Sequence, residues 1–71
     1  MVNIYEGTLV LNALGRYEID GTSIYFTSGD QIEYLVNKIW KISRVEHNGE
    51  DYYIVADPGL KMLGLTARTR I

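Results

Sequence analysis

Gln31-Ile32-Glu33-Tyr34-Leu35-Val36-Asn37-Lys38-Ile39-Trp40-Lys41-Ile42 is the stretch on which the fold turns, because it reads in two ways. As a helix, Ile32, Leu35, Val36, Ile39 and Trp40 fall at i, i+3, i+4, i+7 and i+8, a complete apolar stripe. Asp30 with Glu33, or Ser28 with Gln31, would then form a capping box. As strands, Ile32, Tyr34 and Val36 alternate, Asn37-Lys38 turns the chain, and Trp40 opens the next strand with Ile42. Periodicity alone favours the helix.

The flanks read as β-structure. Turn signals recur at short intervals: Gly15, Asp20-Gly21, Ser28-Gly29-Asp30, Asn48-Gly49 and Asp57-Pro58-Gly59. Short apolar or alternating segments spaced this way suggest a small barrel or sandwich. Thr8–Leu11 is a first strand. Arg16–Ile19 alternates, with Tyr17 and Ile19 on one face. Asp20-Gly21 reads as a type I′ hairpin turn leading into a strand over Thr22–Phe26. Asn48-Gly49 is a second hairpin signal, joining Ser43–Glu46 to Asp51–Val55. Leu65–Ile71 alternates throughout, with Leu65, Ala67 and Ile71 facing in and Thr66, Arg68 and Arg70 facing out. In the pair Tyr52-Tyr53, the period puts Tyr52 inside with Ile54 and Ala56, and Tyr53 outside. Trp40 and Ile42 share one phase and Val45 lies in the other, so a bulge or bend is expected near Ser43-Arg44, with Trp40 as a core anchor.

These segments resemble one family. The order Gly15-Arg16-Tyr17-Glu18-Ile19, Ser28-Gly29-Asp30-Gln31-Ile32-Glu33, Trp40, Arg44-Val45-Glu46, Tyr52-Tyr53-Ile54 and Gly64-Leu65-Thr66-Ala67-Arg68 is similar to a set of short, uncharacterised domain-of-unknown-function proteins of Gram-positive bacteria, often carried on plasmids and conjugative elements. The resemblance runs from Gly7 over nearly the whole chain. It implies a small SH3-like barrel with the segment before Trp40 extended. The family's tight turn before the Trp carries a Gly, where this chain has Asn37-Lys38-Ile39. The family has no known catalytic residues, so the resemblance transfers no site. The expected fold is therefore all-β, a single barrel of five or six antiparallel strands over 1–71. Its alternative is an α+β domain with a helix at about 31–42 packed on an antiparallel sheet.

Composition narrows function by exclusion. The chain has 71 residues and no cysteine, which removes disulfides, thiolate zinc sites and iron–sulfur clusters. No signal peptide is visible, and the longest apolar run, Tyr52–Ala56, is too short to span a bilayer. A cytoplasmic protein without membrane association is expected. His47 is the single histidine and sits beside a turn. The acidic residues Glu46, Glu50 and Asp51 around it lack the spacing of a calcium loop. Ser23, Ser28 and Ser43 have no nucleophile elbow, and no phosphate-binding glycine loop is present. No enzyme, metal or other cofactor is expected.

Binding remains. Seven Lys and Arg against nine Asp and Glu give a net charge of −2, against the grain of bulk nucleic-acid binding. A local stripe of Arg44, Lys61, Arg68 and Arg70, with Lys41 beside it, would still suit a single strand if exposed tyrosines offered stacking surfaces. Tyr5, Tyr25, Tyr34 and Tyr53 are the candidates. The reading preferred on sequence is a module that engages an unknown protein partner through exposed tyrosines and the outward face of the last strand. Its candidate surface is Tyr25, Tyr34, Tyr53, Arg44, Lys61, Arg68 and Arg70. The other readings are weak single-stranded nucleic-acid binding, and self-association through an open strand edge by a chain that is a monomer or weak homo-oligomer.

Overall fold

The computed structural model describes residues 2–71. Seven strands follow in order: β1 Ile4–Leu11, β2 Tyr17–Ile19, β3 Tyr25–Phe26, β4 Gln31–Val36, β5 Ile39–His47, β6 Tyr52–Ile54 and β7 Thr66–Arg70. They form one antiparallel sheet in the spatial order β3-β2-β1-β7-β4-β5-β6, curled into a half-barrel. The count exceeds five or six because the sheet ends in very short strands. The strand expected over Thr22–Phe26 pairs only at Tyr25–Phe26.

Residues 31–42 are a hairpin, not a helix. Its register runs from Gln31 opposite Arg44 to Val36 opposite Ile39. Asn37 and Lys38 take φ of 50° and 66°, the two left-handed residues of a type I′ turn. The segment holds four β-branched residues, Ile32, Val36, Ile39 and Ile42, which pack readily on a pleated sheet and lose rotamer freedom in a helix. Asn37 accepts left-handed backbone well, whereas Lys38 gains nothing there. Lys38→Gly should therefore stabilise the domain by about 1 kcal/mol, raising the melting temperature by roughly 4–8 °C. Thermal unfolding of the two proteins checks this.

Other turns differ in detail. At Asp20-Gly21 only Gly21 has positive φ, 80°, so the turn is not type I′. Thr22 N donates to the Ile19 carbonyl at 3.1 Å instead, and the loop continues to Ile24 before the strand resumes. Gly29, with φ of 91°, and Asp30 both face Val45: Gly29 N donates to the Val45 carbonyl and Val45 N to that of Asp30, each at 2.8 Å. That two-against-one arrangement is a bulge with glycine at its left-handed position. The bend expected in β5 near Ser43-Arg44 thus lies across from it, at the entry to β4. Asn48-Gly49 joins β5 to β6 as expected, with His47 opposite Tyr52 and Val45 opposite Ile54.

The core gathers on the concave face. Leu9, Tyr17, Ile19, Phe26, Ile32, Tyr34, Val45, Ile54, Met62 and Ala67 are buried. Tyr5, Ile24, Val36, Tyr52, Leu60 and Leu65 pack against them. Tyr17 and Ile19 share the inner face as the alternation predicts. Ile71 and Ala56 do not reach it; both are exposed. Two contacts draw the ends of the curled sheet together: the Tyr17 hydroxyl donates to Asp51, and the Thr27 and Tyr52 hydroxyls lie 3.4 Å apart.

Candidate functional site

The register of β4 and β5 decides which side chains are presented to solvent. Ile32 and Tyr34 are buried, so their neighbours Gln31, Glu33 and Leu35 point to the convex face. Glu33 lies opposite Ile42 on one side and Arg68 on the other, and Leu35 lies opposite Trp40. Glu6 of β1 lies opposite Arg68, and Ile4 opposite Arg70. The convex face therefore carries a row Glu6, Arg68, Glu33 and Ile42 across four strands. Trp40 and Leu35 flank it on one side, and Arg70, Gln31 and Arg44 on the other.

Trp40 is consequently not a core anchor. It is half-buried on the convex face, and Ile42 beside it is 61 % exposed. The inward positions of β5 hold Lys41 and Ser43 instead. Both are tolerated because their polar atoms are satisfied: Lys41 Nζ bonds Asp57 at 2.5 Å, and Ser43 Oγ accepts from Ala56 N at 3.1 Å. The expected change of phase in β5 does not occur. Two inward polar residues disguised a strand that keeps one phase from end to end.

On the convex face the charges are locked together. Glu33, whose side chain is only 12 % exposed, accepts Arg68 Nε at 3.1 Å and Arg70 Nε at 2.8 Å. The hydrogen bond from Arg70, with a smaller contribution from Arg68, holds the Glu33 carboxyl below its usual range despite the opposing cost of burial. Glu33 in turn keeps the Arg70 guanidinium charged to higher pH than usual. Arg68 lies over the Trp40 ring, 3.9 Å from its centroid, a cation–π contact that shields one face of the indole. Arg44 pairs with Glu46 at 3.0 Å.

Beside this face run two shallow depressions that share Gln31, Thr69 and Arg70. One, of about 180 Å³, lies among Gln31, Glu33 and Arg68. The other, of about 300 Å³, continues past Arg70 and Ile71 to Ile24 and Tyr25. Tyr25 is 44 % exposed, with the Arg16 guanidinium 5.8 Å from its ring centroid.

The sequence-derived surface is thus only partly assembled. Arg68, Arg70 and Arg44 share the convex face, and Tyr25 stands at its margin. Lys61 is exposed in the connection between β6 and β7, outside the sheet. Tyr53 is half-buried opposite Glu46. Tyr34 is no platform at all, being fully buried with its hydroxyl donating to Asp57. Burial, reinforced by that hydrogen bond, pushes its phenol up to about 12. Sequence reasoning missed Glu33, Ile42 and the outward Trp40. The inward phase of Val45, extended back through Ser43 and Lys41, was the signal that exposes Trp40 and Ile42. His47 lies outside this surface, exposed, with Nδ1 accepting from Gly49 N at 3.0 Å.

The two bonded carboxylates set the response to acid. Asp57 is held below its usual range by hydrogen bonds from Lys41 and then Tyr34. Both groups are depressed on folding, so their stabilisation is present above the unfolded values of 4.5 and 3.8 and is lost as pH falls through the folded ones. Tyr34 has the opposite sign: its stabilisation is full below 10.0 and falls as pH rises toward about 12. Urea midpoints should therefore be flat between these limits. They should fall on both sides, with the acid limb shrinking in Glu33→Gln.

A family model described as a domain of unknown function (DUF5348) matches residues 7–69. Neither the comparison with curated proteins nor that with solved structures gives a match.

Proposed function

The chain belongs to this family of domains of unknown function, whose model covers residues 7–69, and from its own surface we propose that it is a non-enzymatic module that binds a protein partner through the convex face of β7, β4 and β5. The observation that carries this reading is the company of outward apolar side chains, exposed at Ile42 and half-buried at Trp40 and Leu35, with paired charge. Ile42, Trp40 and Leu35 stand beside Arg68 and Arg70, and both arginines are answered by Glu33. Interface centres favour aromatic residues and arginine and are depleted in unpaired charge. Tyr25 and the adjoining depressions extend the surface along the β7 end. The setting this fits is the bacterial cytoplasm. The mobile-element context implied by the resemblance makes a component of plasmid maintenance or transfer the partner to seek.

Nucleic acid is the weaker reading because the stripe is not electrically free. Three of its four members are arginines already bonded to a carboxylate, and the fourth, Lys61, lies apart. Backbone-tracking binders need cations that release phosphate counterions.

Photo-crosslinking from position 42, in cells that naturally carry the chain, tests the proposal. A crosslinker at Ile42 should give a heterologous protein adduct, whereas one at Leu14, equally exposed in the β1–β2 loop, should not. Equal adducts from both positions, or none from 42, would count against the proposal. Titration with a mixed single-stranded oligonucleotide at low salt should leave the Arg68 and Arg70 resonances unmoved.

A further inference from the structure

The outer edge of β5 is open where its side chains are most apolar. β6 covers β5 only from Val45 to His47. Past that point Val55 N donates to the Arg44 carbonyl at 3.0 Å, and among the described residues no strand pairs with β5 beyond it. The direction of the free groups follows from the two-residue turn, which makes Val36 and Ile39 a hydrogen-bonded pair. Alternation then aims the backbone of Ile39, Lys41 and Ser43 at β4, and that of Trp40 and Ile42 at the open side. Consistently, Val45 N bonds across to Asp30, while the Arg44 carbonyl faces the other way. Outside the ladders, no backbone hydrogen bond among the described residues involves Trp40 or Ile42.

This edge lacks the usual protection. Natural edges carry outward lysines, prolines or bulges that discourage pairing. Here the ammonium of Lys41 is drawn to Asp57, and the exposed residues are Ile39 and Ile42, 65 % and 61 % accessible.

We propose that the Ile39–Ile42 edge of β5 pairs antiparallel with the same edge of a second copy about a two-fold axis at Lys41. The edge is self-complementary at Trp40 and Ile42, while on the axis Lys41 meets the partner's Lys41, each ammonium held by the Asp57 of its own chain. Trp40 of one chain faces Ile42 of the other, each offering an N–H and a C=O to its opposite number. The facing side chains form the aromatic and β-branched cross-strand pair that stabilises antiparallel sheets. Arg44 falls opposite the partner's Lys38, but it is already paired with Glu46, and Lys38 belongs to the turn. The sheet becomes continuous through both copies, and the convex face doubles. Four residues of edge bury far less than the roughly 1,600 Å² of a standard interface, so the dimer is weak, with a dissociation constant between about 10 µM and about 1 mM.

Sedimentation velocity from about 10 µM to about 2 mM tests this, a range that brackets weak association. The average mass should rise toward a dimer. Ile42→Pro should abolish the rise, since the N–H it removes points away from β4 and the fold keeps its own ladder. Ile42→Lys, which restores a charged edge without touching the backbone, should do the same, and circular dichroism should show both variants folded. A mass that stays monomeric throughout, or a dimer that persists in folded Ile42→Pro and Ile42→Lys, overturns the proposal. The result is independent of the crosslinking outcome, because a heterologous adduct from position 42 has a mass that no dimer can produce.

Discussion

Tyr34→Ala is expected to remove about 3–5 kcal/mol, a large share of the stability of the domain at 25 °C. Tyr34 is the largest of the fully buried side chains, and its cross-strand neighbours on the inner face are Ala67 and Lys41. Truncating a buried aromatic ring costs about 3–5 kcal/mol, because the cavity adds to the lost transfer energy. A domain of this size has roughly 4–10 kcal/mol in total. The loss also strands the link between the hairpin and the loop after β6. Asp57 accepts from both the Tyr34 hydroxyl and Lys41 at 2.5 Å, and removing the phenol leaves Lys41 as its one partner there. Tyr34→Phe separates the two contributions. It keeps the ring and should cost only about 1.5–3 kcal/mol, the range for a single hydrogen bond whose acceptor is charged. Urea unfolding followed by Trp40 fluorescence and by far-ultraviolet circular dichroism reads both variants. Equal losses would mean that the hydroxyl, not the ring, dominates.

Gly7→Val should destabilise the domain by about 1–3 kcal/mol, although valine is much the better strand former. Gly7 lies opposite Ala67, which in turn lies opposite Tyr34, so one inward row runs glycine, alanine, tyrosine. The two small residues leave the space that Ile19 and Tyr34 fill. A Cβ on Gly7 would stand 3.0 Å from Ile19 Cγ2 and 3.5 Å from the Asp20 carbonyl oxygen. Valine adds two methyl groups beyond that point, into a core with no slack. Gly7→Ala should cost less, because its single methyl asks Ile19 to shift by only a few tenths of an ångström. The order Gly, Ala, Val in melting temperature is the test, with Val lowest.

The elements that the sequence revealed are those marked locally. Asn48-Gly49 placed the β5–β6 hairpin because glycine takes the φ of 98° that the turn requires. Tyr17 and Ile19 declared their face by simple alternation, and Arg68 and Arg70 did the same. The hairpin at 31–42 was ambiguous for a physical reason. Both of its faces carry apolar residues, Ile32 and Tyr34 inward and Leu35, Trp40 and Ile42 outward, and a strand pair apolar on two sides imitates a helical stripe. The site was hidden by distance along the chain. Lys41 faces inward where Asp57, sixteen residues later, meets its half-exposed ammonium. Glu33 meets Arg68 and Arg70 only because β4 pairs with β7, a neighbour in space and not in sequence. Such pairings leave no periodic trace. That is why the arginines were legible as a stripe while the carboxylate that pairs with both was not.

The convex face exists only if Trp40 and Ile42 point outward from a β-hairpin, and NMR of the labelled domain tests that directly. In antiparallel sheets the pairs that share no hydrogen bonds bring their α-protons closest. Strong Hα–Hα contacts are therefore predicted between Glu33 and Ile42 and between Leu35 and Trp40. A soluble paramagnetic agent should broaden the Ile42 methyl signals and spare the ring of Tyr34. Helical contacts three residues apart through 31–42, or an Ile42 protected from the agent at concentrations where the protein is monomeric, would contradict the account.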